Sequence, residues 1–196
     1  MENIDALKKN PREGGRLTYK LKNADVFVSK SGFHFIDYLY PVEAIPPEID
    51  ASQLTDEVAA YIETQLQANA EKFDNQANIV KQHLPLQNAK VLDVGCGGGL
   101  FLSLLKQQGA DVIGIELSDS RAQYAKAKHR LVIDKHPIES DHWQSGYATY
   151  FDAVTLWDVI EHVNYPLQTL QSVANVLKEG GALLIDTPCR DSFYHR

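Results

Sequence analysis

Residues 90–99, KVLDVGCGGG, decide the fold. Val91-Leu92-Asp93-Val94 is a short apolar run ended by Gly95, which reads as a buried strand. The glycines lead into a helical stretch, Leu100 to Gln108, stopped by Gly109. Strand, glycine loop and helix in that order open a βαβ unit.

Downstream the same rhythm repeats. Val112 to Ile115 reads as a second strand, and Ser118 or Ser120 can cap a helix running to about His129. Leu131-Val132-Ile133 is a weaker third strand, and Ala153 to Trp157 a fourth. Pro166 suits the first turn of a helix with Leu167, Leu170, Val173, Val176 and Leu177 on one face. Gly180-Gly181 is expected to end that helix, and Ala182 to Asp186 to form a fifth strand. Strands alternating with helices imply an α/β, doubly wound, mostly parallel sheet with right-handed crossovers. Ligands bind such sheets at the carboxyl ends of the strands, near the switch point.

Upstream, residues 53–83 lack Gly and Pro and read as helix, with a break near Asn69 or Asn75. Pro41, Pro46 and Pro47 mark a linker or turn. Residues 16–40 are β-rich. Val26 and Val28 alternate with Phe27, Phe33 and Phe35 with His34 and Ile36, and Ser31-Gly32 between them suggests a hairpin. Residues 1–15 read as a loose or helical lead-in. The expected organisation is an N-terminal extension over 1–52 with a β-hairpin, and the doubly wound domain over 53–196.

The glycine spacing narrows the ligand. The pattern is G-x-G-x-G preceded by Asp93, and Leu100 stands where a dinucleotide fingerprint needs its third glycine. There is no G-x-x-x-x-G-K-[ST] phosphate loop. Adjacent glycines are costly in chain entropy, so a close-approaching ligand is expected, against the alternative of a structural tight turn. Glu116, 21 residues after Gly95, ends the second strand, where a carboxylate can accept both hydroxyl hydrogens of a ribose.

VLDVGCGGG (91–99), VIGIELS (112–118), YFDAVTLWDVIEHV (150–163) and LKEGGALLIDTP (177–188) together resemble the successive motifs of class I S-adenosylmethionine-dependent methyltransferases. The resemblance implies S-adenosylmethionine as cofactor and implies contacts at matching positions. Asp93 would orient the loop and the methionine amino group. Gly95, Cys96, Gly97 and Gly99 would line the methionine and ribose. Glu116 would bind the ribose, Leu117 would pack on the adenine, and Trp157 and Asp158 would hold the methionine end. The acid usual after the third strand is missing, with Pro137 in its place, and the Ile138 backbone N–H is expected to meet the adenine instead. The family's sheet usually continues with a further strand pair, which this sequence lacks. The open edge is expected to be covered by the N-terminal strands, a missing C-terminal segment or a second copy in a homodimer.

Asp158, Glu161 and His162 are spaced i, i+3, i+4, which is expected to put them on one side of a helical turn. The stretch is similar to the E-x-x-E-H of quinone-biosynthesis O-methyltransferases, where the family implies magnesium. Here Asp158 shortens the reach, and no bound metal is expected. His162 has two readings, a general base that takes a proton from the acceptor and a histidine that packs or caps at the junction.

Composition bounds the rest. The 196 residues suffice for one domain with an appendage. A net charge of -7 without a basic stripe argues against a nucleic-acid partner. Two cysteines, Cys96 and Cys189, are expected as reduced thiols, and with none before 96 an N-terminal zinc-thiolate site is excluded. No segment has the apolar length of a membrane span or a signal peptide. The reading is a cytoplasmic methyltransferase acting on a small-molecule substrate through O, N or C, with a non-catalytic cofactor-fold module and an NAD-dependent oxidoreductase as rivals.

Overall fold

The computed structural model describes the backbone of three short strands, Arg16–Lys20 (β1), Asp25–Val28 (β2) and His34–Ile36 (β3), and residues 53–188. The expected lead-in over 1–15, the turn at Ser31-Gly32, the proline linker and Cys189 lie outside the described residues. The chain divides into two units, Met1–Ala44 and Ile45–Arg196. In the first, β1, β2 and β3 form an antiparallel sheet in that order, with Phe27 opposite Phe35 and a register shift between Leu17 and Tyr19. The β2–β3 pair is the hairpin that the alternation of Val26, Phe27 and Val28 implies.

The second unit begins with two helices, Asp56–Ala68 (α1) and Ala70–His83 (α2), parted at Asn69 as expected. Thr55 caps α1 by accepting from the Val58 N–H. There follow Lys90–Val94 (β4), Leu100–Gln107 (α3), Asp111–Ile115 (β5), Asp119–His129 (α4), Val132–Asp134 (β6), Asp141–Gly146 (α5), Phe151–Trp157 (β7), Pro166–Val176 (α6) and Leu177–Asp186 (β8). The five strands form one parallel sheet in the order β6-β5-β4-β7-β8. The order reverses direction at β4, which puts the switch point beside the glycine loop.

Successive residues of β4 serve opposite faces. Val91 joins one buried layer with Val112, Ala153 and the inner faces of α2, α3 and α4. Leu92 and Val94 join the other with Val154, Leu156, Trp143 and the inner face of α6. Asp93 therefore lies on the α2–α3 face, beside its register partner Thr155. Leu183 and Ile185 alternate along β8, 38% and 40% exposed.

Three local expectations differ from the structure. The last helix stops at Val176, and the glycines expected to end it lie inside β8. Gly180 takes φ 75°, and a Cβ at Gly181 would lie 2.9 Å from the Lys178 carbonyl oxygen. This distorted stretch accompanies the register shift between Phe151 and Ala153. The third strand runs one residue later than read, and α5 is an unforeseen short helix. It is anchored by the fully buried Trp143, whose indole N–H donates to the His136 carbonyl at 2.9 Å.

The glycine run also has a reason beyond a ligand. A Cβ at Gly98 would sit 2.9 Å from Leu66 Cδ1 and 3.0 Å from Ile62 Cγ2, so α1 packs onto the loop. At Gly99, φ is 80° and a Cβ would lie 2.6 Å from Leu131 Cδ1 and 2.9 Å from Ala125 Cβ. Gly99→Ala should therefore cost roughly 2–4 kcal/mol of stability, combining left-handed strain with overpacking. Urea unfolding without any added cofactor measures this, and an unchanged midpoint would refute the packing account.

Candidate functional site at the carboxyl ends of the strands

The loop from Gly95 to Gly99 is drawn onto the end of β5. The Gly95 and Cys96 N–H groups both donate to the Ile115 carbonyl, at 2.8 and 2.9 Å. The next N–H, of Gly97, donates to Glu116 Oε2 at 2.8 Å, and the Ser118 N–H donates to Glu116 Oε1 at 2.8 Å. Glu116 is half-buried. An ionised carboxylate has about four acceptor positions, so each oxygen retains one for a ligand hydroxyl. Gly97, with φ 55°, is the loop position left open. A Cβ there would meet only Arg121 Nη1, at 3.6 Å. A Cβ at Gly95 would meet Val159 Cγ2 at 2.6 Å.

Asp93 lies beneath the loop, 3% exposed, and accepts from the Thr155 hydroxyl at 2.7 Å. Burial pushes its carboxyl up from 3.8 to about 7; the Thr155 hydrogen bond opposes this and the charge of Glu116 adds to it. A cation arriving nearby would offset that burial. Cys96 is buried, and burial, with the charges of Asp93 and Glu116, holds its thiol well above the usual range. It is therefore a packing residue and not a nucleophile.

Across the switch point, Trp157 packs edge-on against Phe101 at 5.5 Å. Its indole N–H is buried with no hydrogen-bond partner. Asp158 adopts φ 53° and donates its N–H to the Asp186 carbonyl at 2.9 Å. Its carboxylate pairs with Lys72 of α2, which also lies 3.7 Å from Asp186. Burial pulls the Lys72 ammonium down, but the hydrogen bond and charge of Asp158, with Asp186, more than offset it and raise it.

Leu117 is 52% exposed beside Glu116, open to pack on a ring. Ile138 is a core residue whose carbonyl accepts from Gln144 Nε2 at 2.6 Å. An acid does stand at the end of the third parallel strand. It is Asp134, in register with Ile115, and its carbonyl accepts from the Glu116 N–H at 3.0 Å.

Asp158, Glu161 and His162 do not share a helical face. The segment after β7 leaves the strand through the left-handed Asp158 and closes a single turn, His162 N–H to Val159 carbonyl at 2.9 Å. Their ligating atoms do not converge, whereas those of Asp134, His136 and His142 do. His162 is exposed. Sequence reasoning missed Thr155, Arg121 and Lys72. A lone polar residue inside the apolar run Ala153–Trp157, and an arginine three residues after a helix cap, were the available signals for the first two. Lys72 had none, since its partner is 86 residues away.

The site suits S-adenosylmethionine. Each Glu116 oxygen keeps an acceptor position of the kind a ribose hydroxyl uses, Gly97 leaves room for close approach, the buried Asp93 would be favoured in its ionised form by a cation, and the Trp157 indole N–H lacks a partner. A family model described as a methyltransferase domain matches residues 61–196. Ubiquinone biosynthesis O-methyltransferase of Stutzerimonas stutzeri is 30% identical over 115 residues, covering 57% of this chain and 50% of the relative. That of Histophilus somni is 38% identical over 116 residues, covering 56% and 49%. The chain thus spans about half the length of the curated relatives it matches. A crystal structure of an S-adenosylmethionine-dependent methyltransferase from Thermotoga maritima aligns with a TM-score of 0.57 at 24% identity, covering 71% of this chain and 62% of that one. The chain belongs to the S-adenosylmethionine-dependent methyltransferase family, and S-adenosylmethionine is the cofactor of that class. Leu100 in place of the third glycine agrees with this and not with the dinucleotide alternative. Among the described residues no helix is long and apolar enough to cross a membrane.

The buried acid makes a pH prediction. Between about pH 4 and pH 7 the folded chain holds a proton on Asp93 that the unfolded chain has released. Its contribution therefore lowers stability as pH rises through that window, by roughly 4 kcal/mol in all. Asp93→Asn should flatten this part of the stability–pH curve, measured by urea unfolding at a series of pH values. A variant with the wild-type slope would show that Asp93 is already ionised in the fold.

Proposed function

We propose that this chain binds S-adenosylmethionine over β4, β5 and β7 and transfers its methyl group to a hydroxyl oxygen of a small-molecule acceptor, in the cytoplasm. The observation that carries the reading is the direct contact of the Glu116 carboxylate with the open Gly97 position. The choice of oxygen rests on the relatives, which are O-methyltransferases by name.

The bound cofactor supplies an electrophilic methyl group on a sulfonium whose departure leaves a neutral thioether. The chain's own residues do the rest. Glu116 would hold the ribose hydroxyls, Leu117 would cover the adenine, and the Ile138 backbone N–H would meet the adenine. Gly95, Cys96, Gly97 and Gly99 shape the wall along the ribose and methionine. Asp93, and Asp158 in its ion pair with Lys72, would place carboxylates near the cationic end, and the Trp157 indole N–H would offer a donor there. Aligning the acceptor and excluding water are the main demands of an in-line displacement. A hydroxyl acceptor must also lose its proton, and His162 is the candidate to accept it.

Glu116→Gln keeps the shape of the side chain but removes its charge. It should weaken binding of S-adenosylhomocysteine at least tenfold, because charge-assisted hydrogen bonds contribute about 1.5–3 kcal/mol each. Titration calorimetry decides this, and unchanged affinity would remove Glu116 from the site. His162→Gln should lower turnover of labelled S-adenosylmethionine with a phenolic acceptor and leave cofactor affinity within about twofold. Equal turnover would return His162 to a packing role.

A further inference from the structure

We propose that Asp134, His136 and His142 form a site for one divalent transition-metal ion of the zinc class, clipping the loop between β6 and α5. The proposal does not depend on the methyltransferase reading.

The geometry supplies a convergent donor set. His136 Nδ1 lies 2.8 Å from Asp134 Oδ1, and His142 Nε2 lies 3.3 Å from Asp134 Oδ2. All three residues offer ligand atoms within 4.8 Å of one another. Ligands bound at about 2.1 Å in tetrahedral geometry stand roughly 3.4 Å apart, so closure onto an ion needs only small side-chain movements. The two imidazole rings stack at 4.7 Å, 23° from parallel, and turn a nitrogen each toward a different oxygen of one carboxylate. The second imidazole converging on the same carboxylate brings the donor set to three protein ligands, the number that leaves a fourth position open on a tetrahedral ion.

The backbone positions are held independently of any ion. Asp134 ends a strand in register with Ile115 and accepts the His136 N–H on Oδ1 at 2.6 Å. The His136 carbonyl is fixed by the indole of buried Trp143, and His142 precedes that anchor in the chain. The Ser140 N–H closes the intervening turn onto the Pro137 carbonyl at 2.9 Å. Such outer contacts orient first ligands in metal sites. The cation within the loop, Lys135, is drawn away by an ion pair with Asp119. His136, 61% exposed at its side chain, and His142, 39% exposed, leave a solvent route for an ion and room for water as further ligand. Two nitrogens and one carboxylate oxygen suit zinc and its neighbours better than magnesium or calcium, which prefer all-oxygen sets.

The test is a Co2+ titration of the full chain followed by visible absorption, with Zn2+ as competitor. One Co2+ should bind per chain and be displaced by Zn2+. His136→Ala and His142→Ala should each weaken binding at least about tenfold, and His83→Ala should bind as wild type. Circular dichroism checks that the variants are folded; His142→Gln, a milder change, should show the same loss. Zn2+ should also slow amide exchange across 135–142 in the wild type and not in the variants. No saturable one-to-one binding, or equal binding by the folded variants, overturns the site.

Discussion

Three consecutive backbone N–H groups, of Gly95, Cys96 and Gly97, point at the end of one neighbouring strand, two at the Ile115 carbonyl and one at the Glu116 carboxylate. The rest of the site depends on this attachment. It turns the chain sharply out of β4, starts α3 at Leu100, and sets Glu116 where the loop is barest. Parallel pairing of β4 with β5 and β7 then brings Asp93 and Thr155 side by side under the same loop. Two of its three hydrogen bonds join peptide groups only, so those survive wide change of side chain provided positive φ remains accessible, while the third requires the Glu116 carboxylate.

Charge is distributed around this frame with a consistent sense. Asp93, Glu116, Asp158 and Asp186 lie at the strand ends, and Lys72 reaches in from α2 to pair with the last two. The buried acid has only a hydroxyl for company, and burial favours its protonated form. Taking a carboxylate out of water is expensive without a counter-charge. A cation close to Asp93 would therefore favour its ionised form.

Much of this was readable from residues alone, for identifiable reasons. The central parallel strands stand out because both faces of the sheet are covered there, so their sequences are apolar runs such as Val91–Val94 and Ala153–Trp157 bounded by polar turns. Ser118 and Pro166 mark their helix starts by local chemistry. The errors arose where local chemistry is ambiguous or the partner is remote. Gly180-Gly181 looks like a helix stop, yet the glycines serve a distorted strand start. The i, i+3, i+4 spacing of Asp158, Glu161 and His162 has meaning only on a helix, and the left-handed Asp158 prevents one. Glycines 98 and 99 have a packing role that the motif alone does not reveal, because Leu66 and Ile62 of α1, and Leu131 with Ala125, occupy the space that side chains there would need. The histidine cluster was invisible because its members read as loop residues until β6 ends at Asp134 and Trp143 folds α5 back upon it.

The position of α1 has a thermodynamic consequence. This helix buries little besides Ile62, rests Leu66 on Gly98, and is moored to α4 by Glu63, which Tyr124 and Lys128 both engage. An element so lightly buried has a local unfolding free energy well below that of the sheet. Its detachment would expose one side of the glycine loop while leaving the strands intact. Access to the loop can thus be governed by fraying of one peripheral helix, without any hinge between rigid bodies. A ligand seated on the loop would, by linkage, make that fraying rarer.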